Sequence, residues 1–294
     1  MIASAPKAKT TLREYSKDLA AARSIAVWGS AGSGKTLLAI NLAFELAQFD
    51  KRVLLVDLDM KRPSISAWLG LTEAGPGITA ALRLAKSDRL SIEELQRLCA
   101  ELKFAGSHLD VLPGLSSPRR WGEVTPELLD NLGDLIVQHY DFVVFDLNDE
   151  FNPLNLQPWA DKSRGERGET VTWAIGRSDL VLAPFVADAV GVNRFLFDCQ
   201  QADFEYWPIA NRVSSKSLGN SGVKKLRETI ELLTKKPLRA EFPMDAGSCE
   251  TSIAKARPLM LESPNSKLTL AIRSLAGEIA DQHHPQINSQ SGQT

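Results

Sequence analysis

Gly29-Ser30-Ala31-Gly32-Ser33-Gly34-Lys35-Thr36 has the spacing G-x4-G-K-[ST]. Glycines in such a loop let successive backbone N–H groups converge on phosphate oxygens. A helix starting there adds partial positive charge at its N-terminus. In that chemistry Lys35 bridges the β- and γ-phosphates of a nucleotide, and the Thr36 hydroxyl ligates Mg2+. The alternative is a glycine-rich turn that binds nothing. The apolar strand before the loop (IAVW, 25–28) and the apolar helix after it favour the phosphate reading.

Two further stretches end in carboxylates. VLLVDLDMKRPS (53–64) carries Asp57 and Asp59, an i, i+2 pair that points to one face of an extended strand. One can join a Mg2+ shell, and the other can orient or deprotonate an attacking group. FVVFD (142–146) places Asp146 after four apolar residues, a candidate Mg2+ partner acting through water. Each acid alone reads equally well as a cap or turn residue. Together with the loop they imply three neighbouring strand ends.

The elements that must position these groups alternate. Strand candidates are 25–28, 53–56, 109–113, 142–145, 180–184, 206–210 and 238–242. Several lack polar alternation, as buried parallel strands do. Helix candidates lie near 34–48, 91–103, 125–139, 189–203, 222–235, 247–257 and 265–281. This pattern predicts an α/β fold, a doubly wound, mostly parallel sheet flanked by helices. Residues 1–22 read as a leader helix, 23–282 as one domain and 283–294 as a disordered tail. Residues 148–170 read as a long polar loop, functional or disordered.

The 294 residues carry a net charge of −2, so nucleic-acid binding would require a local patch. Residues 212–239 offer one, with Arg212, Lys216, Lys224, Lys225, Arg227, Lys235, Lys236 and Arg239; the alternative is a solvated helix face. Cys99, Cys199 and Cys249 are far apart, which argues against a zinc site and a disulfide framework and fits a reducing cytoplasm. No apolar run reaches the roughly 18 residues of a membrane span. The final amphipathic helix reads as packing onto the domain. Trp28, directly before the loop, either walls the nucleotide or is buried against a helix.

The order of motifs resembles the MinD/ParA class of P-loop ATPases, a group that includes Mrp, the pilus-assembly CpaE/TadZ proteins and the bacterial tyrosine kinases. The likeness spans about 24–280. DLDMKRPSISAWLGL (57–71) leans toward the tyrosine-kinase variant, and LDVLPGLSSPRRWGEV (109–124) resembles both that variant and CpaE-like proteins. PIANRV (208–213) and FPMDAGSCETSIAKARPLML (242–261) resemble the segments around the base. The resemblance implies ATP and Mg2+ as ligands. It implies Asp57 in the metal shell, Asp59 orienting water, Asp146 at the Walker B position, Asn211 and Arg212 flanking adenine, and Pro243 near the base.

One departure stands out. Such proteins carry a lysine at the loop's second position, which reaches a partner's phosphates across a dimer. Ser30 is uncharged and too short for that. Binding is expected to survive, with turnover slow or served by another cation, Arg62, Arg119 or Arg120. The kinase variant's C-terminal tyrosine cluster is also missing, since the tyrosines are Tyr15, Tyr140 and Tyr206. The expectation is an ATP-binding, weakly hydrolysing dimeric switch that positions a protein partner or DNA, and binds membrane only through a partner. The alternatives are a tyrosine-kinase-like protein and a nucleotide-binding scaffold without turnover.

Overall fold

The structure, a computed structural model, describes residues 23–71, 75, 77–151, 162–219 and 221–283. The expected leader helix (1–22) and nearly all of the expected tail (283–294) lie outside the described residues.

Among the described residues, eight strands form one sheet in the order β3-β4-β2-β5-β1-β6-β7-β8. They are β1 Arg23–Val27, β2 Val53–Leu58, β3 Ala100–Phe104, β4 Ser107–Leu112, β5 Phe142–Leu147, β6 Leu180–Val186, β7 Trp207–Val213 and β8 Ala240–Pro243. All neighbours pair in parallel except β3 and β4. The inner strands β1, β2 and β5 are apolar and almost wholly buried, because helices cover both faces.

Alternate residues of each strand feed opposite cores. Ala26, Leu54, Val56, Val143 and Phe145 pack under α3 (Gly77–Lys86), α5 (Pro126–His139), α6 (Lys162–Arg177), α7 (Ala189–Cys199) and α9 (Gly222–Thr234). Ile25, Val27, Leu55 and Val144 pack under α1 (Lys35–Ala47) and α12 (Lys267–His283). The expected packing of the final helix is seen in α12, whose Leu268, Ile272, Leu275 and Ile279 are buried. The remaining helices are α2 (Ile65–Trp68), α4 (Ile92–Leu98), α8 (Ser215–Leu218), α10 (Ala246–Ala254) and α11 (Leu259–Glu262).

Two expectations are corrected, and one helix had none. The helix expected over 91–103 ends at Leu98, and Ala100–Phe104 instead forms β3, antiparallel to β4. Ala105 and Gly106, at φ 46 and 84, turn this hairpin in the left-handed region. The long loop expected over 148–170 gives way to α6 from Lys162 onward, where Val171 and Ala174 enter the core. Helix α3 had no sequence assignment, although Ile78, Ala81, Leu82 and Ala85 recur at helical spacing and are buried.

Candidate functional site

Strand register brings the carboxylates to the loop. Val27 and Asp57 are both cross-strand partners of Asp146, so β1, β5 and β2 end side by side. The phosphate loop leaves β1 at that edge and enters α1. No side chain caps the N-terminus of α1 and its first turn holds no acid, so nothing there opposes an anion. Gly34 has φ 97, and a Cβ on it would meet Asn211 Nδ2 at 2.2 Å. Glycine is required there for both conformation and space.

A cavity of about 700 Å3 opens at this edge. Ala31, Gly32, Gly34, Lys35, Thr36 and Asn211 line one end, Asp59 and Arg62 one side, and Arg212 and Pro243 the far end. Gly29, Ser30, Ser33, Asp57 and Asp146 are not among its lining residues; Ser33, Asp57 and Asp146 are buried behind it.

Lys35 Nζ donates to the Ser30 carbonyl at 3.1 Å. Burial lowers its pKa, while Asp146, Asp149, Asp59 and Asp198 pull it back up. Thr36 Oγ1 donates to Asp146 Oδ2 at 2.7 Å. Asp146 is fully buried and its Oδ1 has no partner. Burial raises its pKa, and the Thr36 hydroxyl and Lys35 oppose that. A buried carboxylate oxygen left unpaired beside a hydroxyl is costly. The pair therefore fits a hard divalent cation and its water shell.

Asp57 on β2 and Asp59 just after it hold the loop that follows. The amides of Asp59, Ser64 and Ile65 donate to the Asp57 carboxylate at 3.1, 3.0 and 3.1 Å. Burial and the nearby Asp146 push the Asp57 pKa up. The amides of Lys61 and Arg62 donate to Asp59 Oδ1 at 2.9 and 2.7 Å, which fixes Asp59 at the cavity wall. Lys61 Nζ then reaches Asp149 at 3.3 Å and Glu150 at 3.1 Å, tying the loop after β2 to the loop after β5.

Asn211, which the resemblance places beside the base, lines the cavity and also holds the phosphate loop. Its Nδ2 donates to the Ser33 carbonyl at 2.8 Å, and its Oδ1 accepts the Arg212 amide at 2.8 Å. It braces the phosphate loop from β7, where a register shift between Ala210 and Val213 and a φ of 56 at Arg212 re-aim the chain. Arg212, Pro243, Met244, Cys249 and Ile253 form the cavity's other end.

The chain from 25 to 252 matches the CbiA family profile, described as the CobQ/CobB/MinD/ParA nucleotide binding domain. The chain belongs to this family. Solved members of similar fold include a ParA family ATPase from Chlorobium tepidum TLS (TM-score 0.72, 18% identity, 89% of this chain and 100% of that one). MinD from Pyrococcus horikoshii OT3, complexed with Mg-ADP, matches with TM-score 0.67 and 20% identity over 90% of this chain and 99% of that one. A putative plasmid partition protein from Borrelia burgdorferi B31, bound to AMPPNP, matches with TM-score 0.62 and 20% identity over 89% and 99%. At these identities the likeness is one of fold, and it is the P-loop fold of MinD and ParA. A tyrosine-protein kinase of Bacillus subtilis (strain 168), YwqD, is 34% identical over 116 residues, 39% of this chain and 45% of that protein. The chain thus matches about half the length of that curated relative.

Three groups in this MinD/ParA-like site had no place in the sequence reading. They are Lys61, Asp149 and Asp198, the last on α7, whose carboxylate accepts the Ser30 hydroxyl. Burial raises the Asp198 pKa, while Ser30 and Lys35 oppose it. Asp149 follows Asp146 by three residues and was within reach of motif reasoning. Asp198 carries no local signal, because only the crossing of α7 over the loop brings it there.

Of the candidate cations, Arg62 lines the cavity, whereas Arg120 is held by Glu123 at 2.8 Å. Trp28 is buried and outside the large cavity, and its ring packs on Phe151, Phe204 and Tyr206. The basic stretch is partly neutralised: Arg227 pairs with Glu241, Lys236 with Glu205, Arg239 with Glu278, and Lys224 with Glu228 at 3.9 Å. Arg239 also lies over the Trp207 ring. Among the described residues no helix is long and apolar enough to cross a membrane.

Proposed function

We propose that this chain is an ATP-binding, slowly hydrolysing switch that dimerises face to face around two nucleotides and positions a protein partner. The observation that carries the proposal is the unpaired, buried Oδ1 of Asp146 beside Thr36, next to an uncapped α1 N-terminus and Lys35. Mg2+ held through Thr36 and Asp146 would offset charge on the β- and γ-phosphates. Lys35 leaves the Ser30 carbonyl for those phosphates. Asp57 supports the metal shell through the loop it holds. Asp59, fixed by two amides at the cavity wall, orients the attacking water. The base lies against Arg212 and Pro243. The loops after β2 and β5, joined by Lys61, rearrange with the γ-phosphate and carry the signal to the partner.

Hydrolysis is slow because Ser30 brings no charge to a partner's phosphates; Arg62 is the cation placed to substitute. Non-specific DNA binding is the weaker output, because four of the eight cations of 212–239 already face carboxylates. Phosphate release from Mg·ATP, measured with and without DNA and vesicles, tests the reading. Turnover that is slow alone and rises with protein concentration supports it; nucleotide binding without any turnover leaves a scaffold.

The match to the Bacillus tyrosine kinase favours a second reading, phosphoryl transfer to tyrosine. Tyr140 and Tyr206 are buried, so an acceptor among the described residues is poorly placed. Phosphotyrosine formed on an added tyrosine-rich peptide would establish that reading over the first.

A further inference from the structure

We infer that Asp198 is a positioning residue for triphosphate binding, acting through Ser30 to hold the phosphate loop with Lys35 resting on it. The inference rests on the ATP-binding reading above and goes beyond it by adding α7 to the site.

Ser30 is the joint. Its hydroxyl donates to Asp198 Oδ2, and its carbonyl accepts Lys35 Nζ at 3.1 Å. One residue therefore links a carboxylate on α7 to the lysine of the loop. Asp198 is half-buried and borders a separate cavity of about 140 Å3 together with Trp28, Gly29, Asp149 and Phe151. There the carboxylate is an anchor with a fixed direction. It is also a negative charge close enough to act on Lys35. Two consequences follow with opposite signs. The hydrogen bond fixes the loop in a shape that phosphate can enter. The charge competes with the incoming triphosphate for Lys35.

The two roles separate by substitution. Asp198→Asn keeps an oxygen for the Ser30 hydroxyl and removes the competing charge, so the Kd for Mg·ATP falls about three- to tenfold. Ser30→Ala keeps the charge and removes the anchor, so the Kd rises about three- to tenfold. Ser30→Thr keeps a hydroxyl and lies closer to wild type than Ser30→Ala. In the double variant Ser30→Ala costs less than it does alone, because its partner is no longer charged.

The test is calorimetric titration of Mg·ATP into the full chain for wild type, the three single variants and the double variant, with melting temperatures recorded alongside. Opposite shifts for Asp198→Asn and Ser30→Ala, with recovery in Ser30→Thr, support the inference; a merely structural role moves melting temperature without opposing shifts in Kd. If wild type binds and the shifts are absent, alike in sign or additive, the inference fails alone. If wild type does not bind Mg·ATP, the reading of the whole site fails with it.

Discussion

At one end of the cavity, Lys35 and Asp146 are buried, Asp146 is held by Thr36, and Asn211 braces the loop from the next strand but one. At the other end, Met244 and Ile253 are each 52% exposed and their side chains meet the cavity without polar anchors. The end proposed for phosphate is buried and held by hydrogen bonds to backbone; the end proposed for the base is more exposed and mixes Met244 and Ile253 with Arg212, Asp245 and Glu250. Phosphate geometry is invariant and rewards preorganised donors. A flat base needs only surface to lie on, and many side chains provide it. The difference predicts large effects at the first end and small ones at the second.

The largest is at Lys35. Lys35→Ala lowers Mg·ATP affinity at least about 100-fold, since the triphosphate loses its charged donor; competition with a fluorescent nucleotide measures it. Asp59→Ala lowers turnover about 100-fold while affinity stays within a few-fold, as expected of a group that acts on the attacking water. Phosphate release set beside equilibrium binding distinguishes the two. Gly34→Ala forces a Cβ to within 2.2 Å of Asn211 Nδ2 at φ 97 and destabilises the fold by about 1–3 kcal/mol; thermal melting shows it.

A titration effect of intermediate size follows from Asp146. Burial raises its pKa, so a proton competes with the metal until the pH passes that raised value. Affinity for Mg·ATP therefore rises with pH from mildly acidic to neutral, by at most about tenfold per unit for one proton released. Calorimetry in buffers of different ionisation heat detects that proton. The smallest effect is at the base end, where Met244→Ala or Ile253→Ala weakens binding only about two- to threefold, because each removes part of a half-exposed surface. An effect there as large as that of Lys35→Ala would overturn the comparison.

What was legible in the sequence follows the same division. The loop and the acids after β2 and β5 are local: a few consecutive residues carry type, spacing and the strand before them. Their convergence followed from parallel strands ending at one edge. The β3–β4 hairpin was not legible, because Leu95, Leu98 and Leu102 continue a helical spacing and the turn is Ala105-Gly106 in place of the usual Asn-Gly. Helix α6 was hidden by a polar, charged sequence at 162–169 that offers no large apolar residue before Val171. Asn211 was legible as a residue of the site but not in what it holds, since its partner, Ser33, is 178 positions away in the chain. Asp198 was beyond reach for the same reason, 168 positions from Ser30.

The central claim is that this chain cradles a magnesium-bound triphosphate between the β1–α1 loop and the β5 carboxylate. Titrating ATP into the intact chain in a calorimeter, with Mg2+ and then with the metal chelated, tests it most directly. The account predicts saturable heat with one site per chain in Mg2+ and binding at least about tenfold weaker without it. A folded chain that gives no saturable heat in either buffer would contradict it.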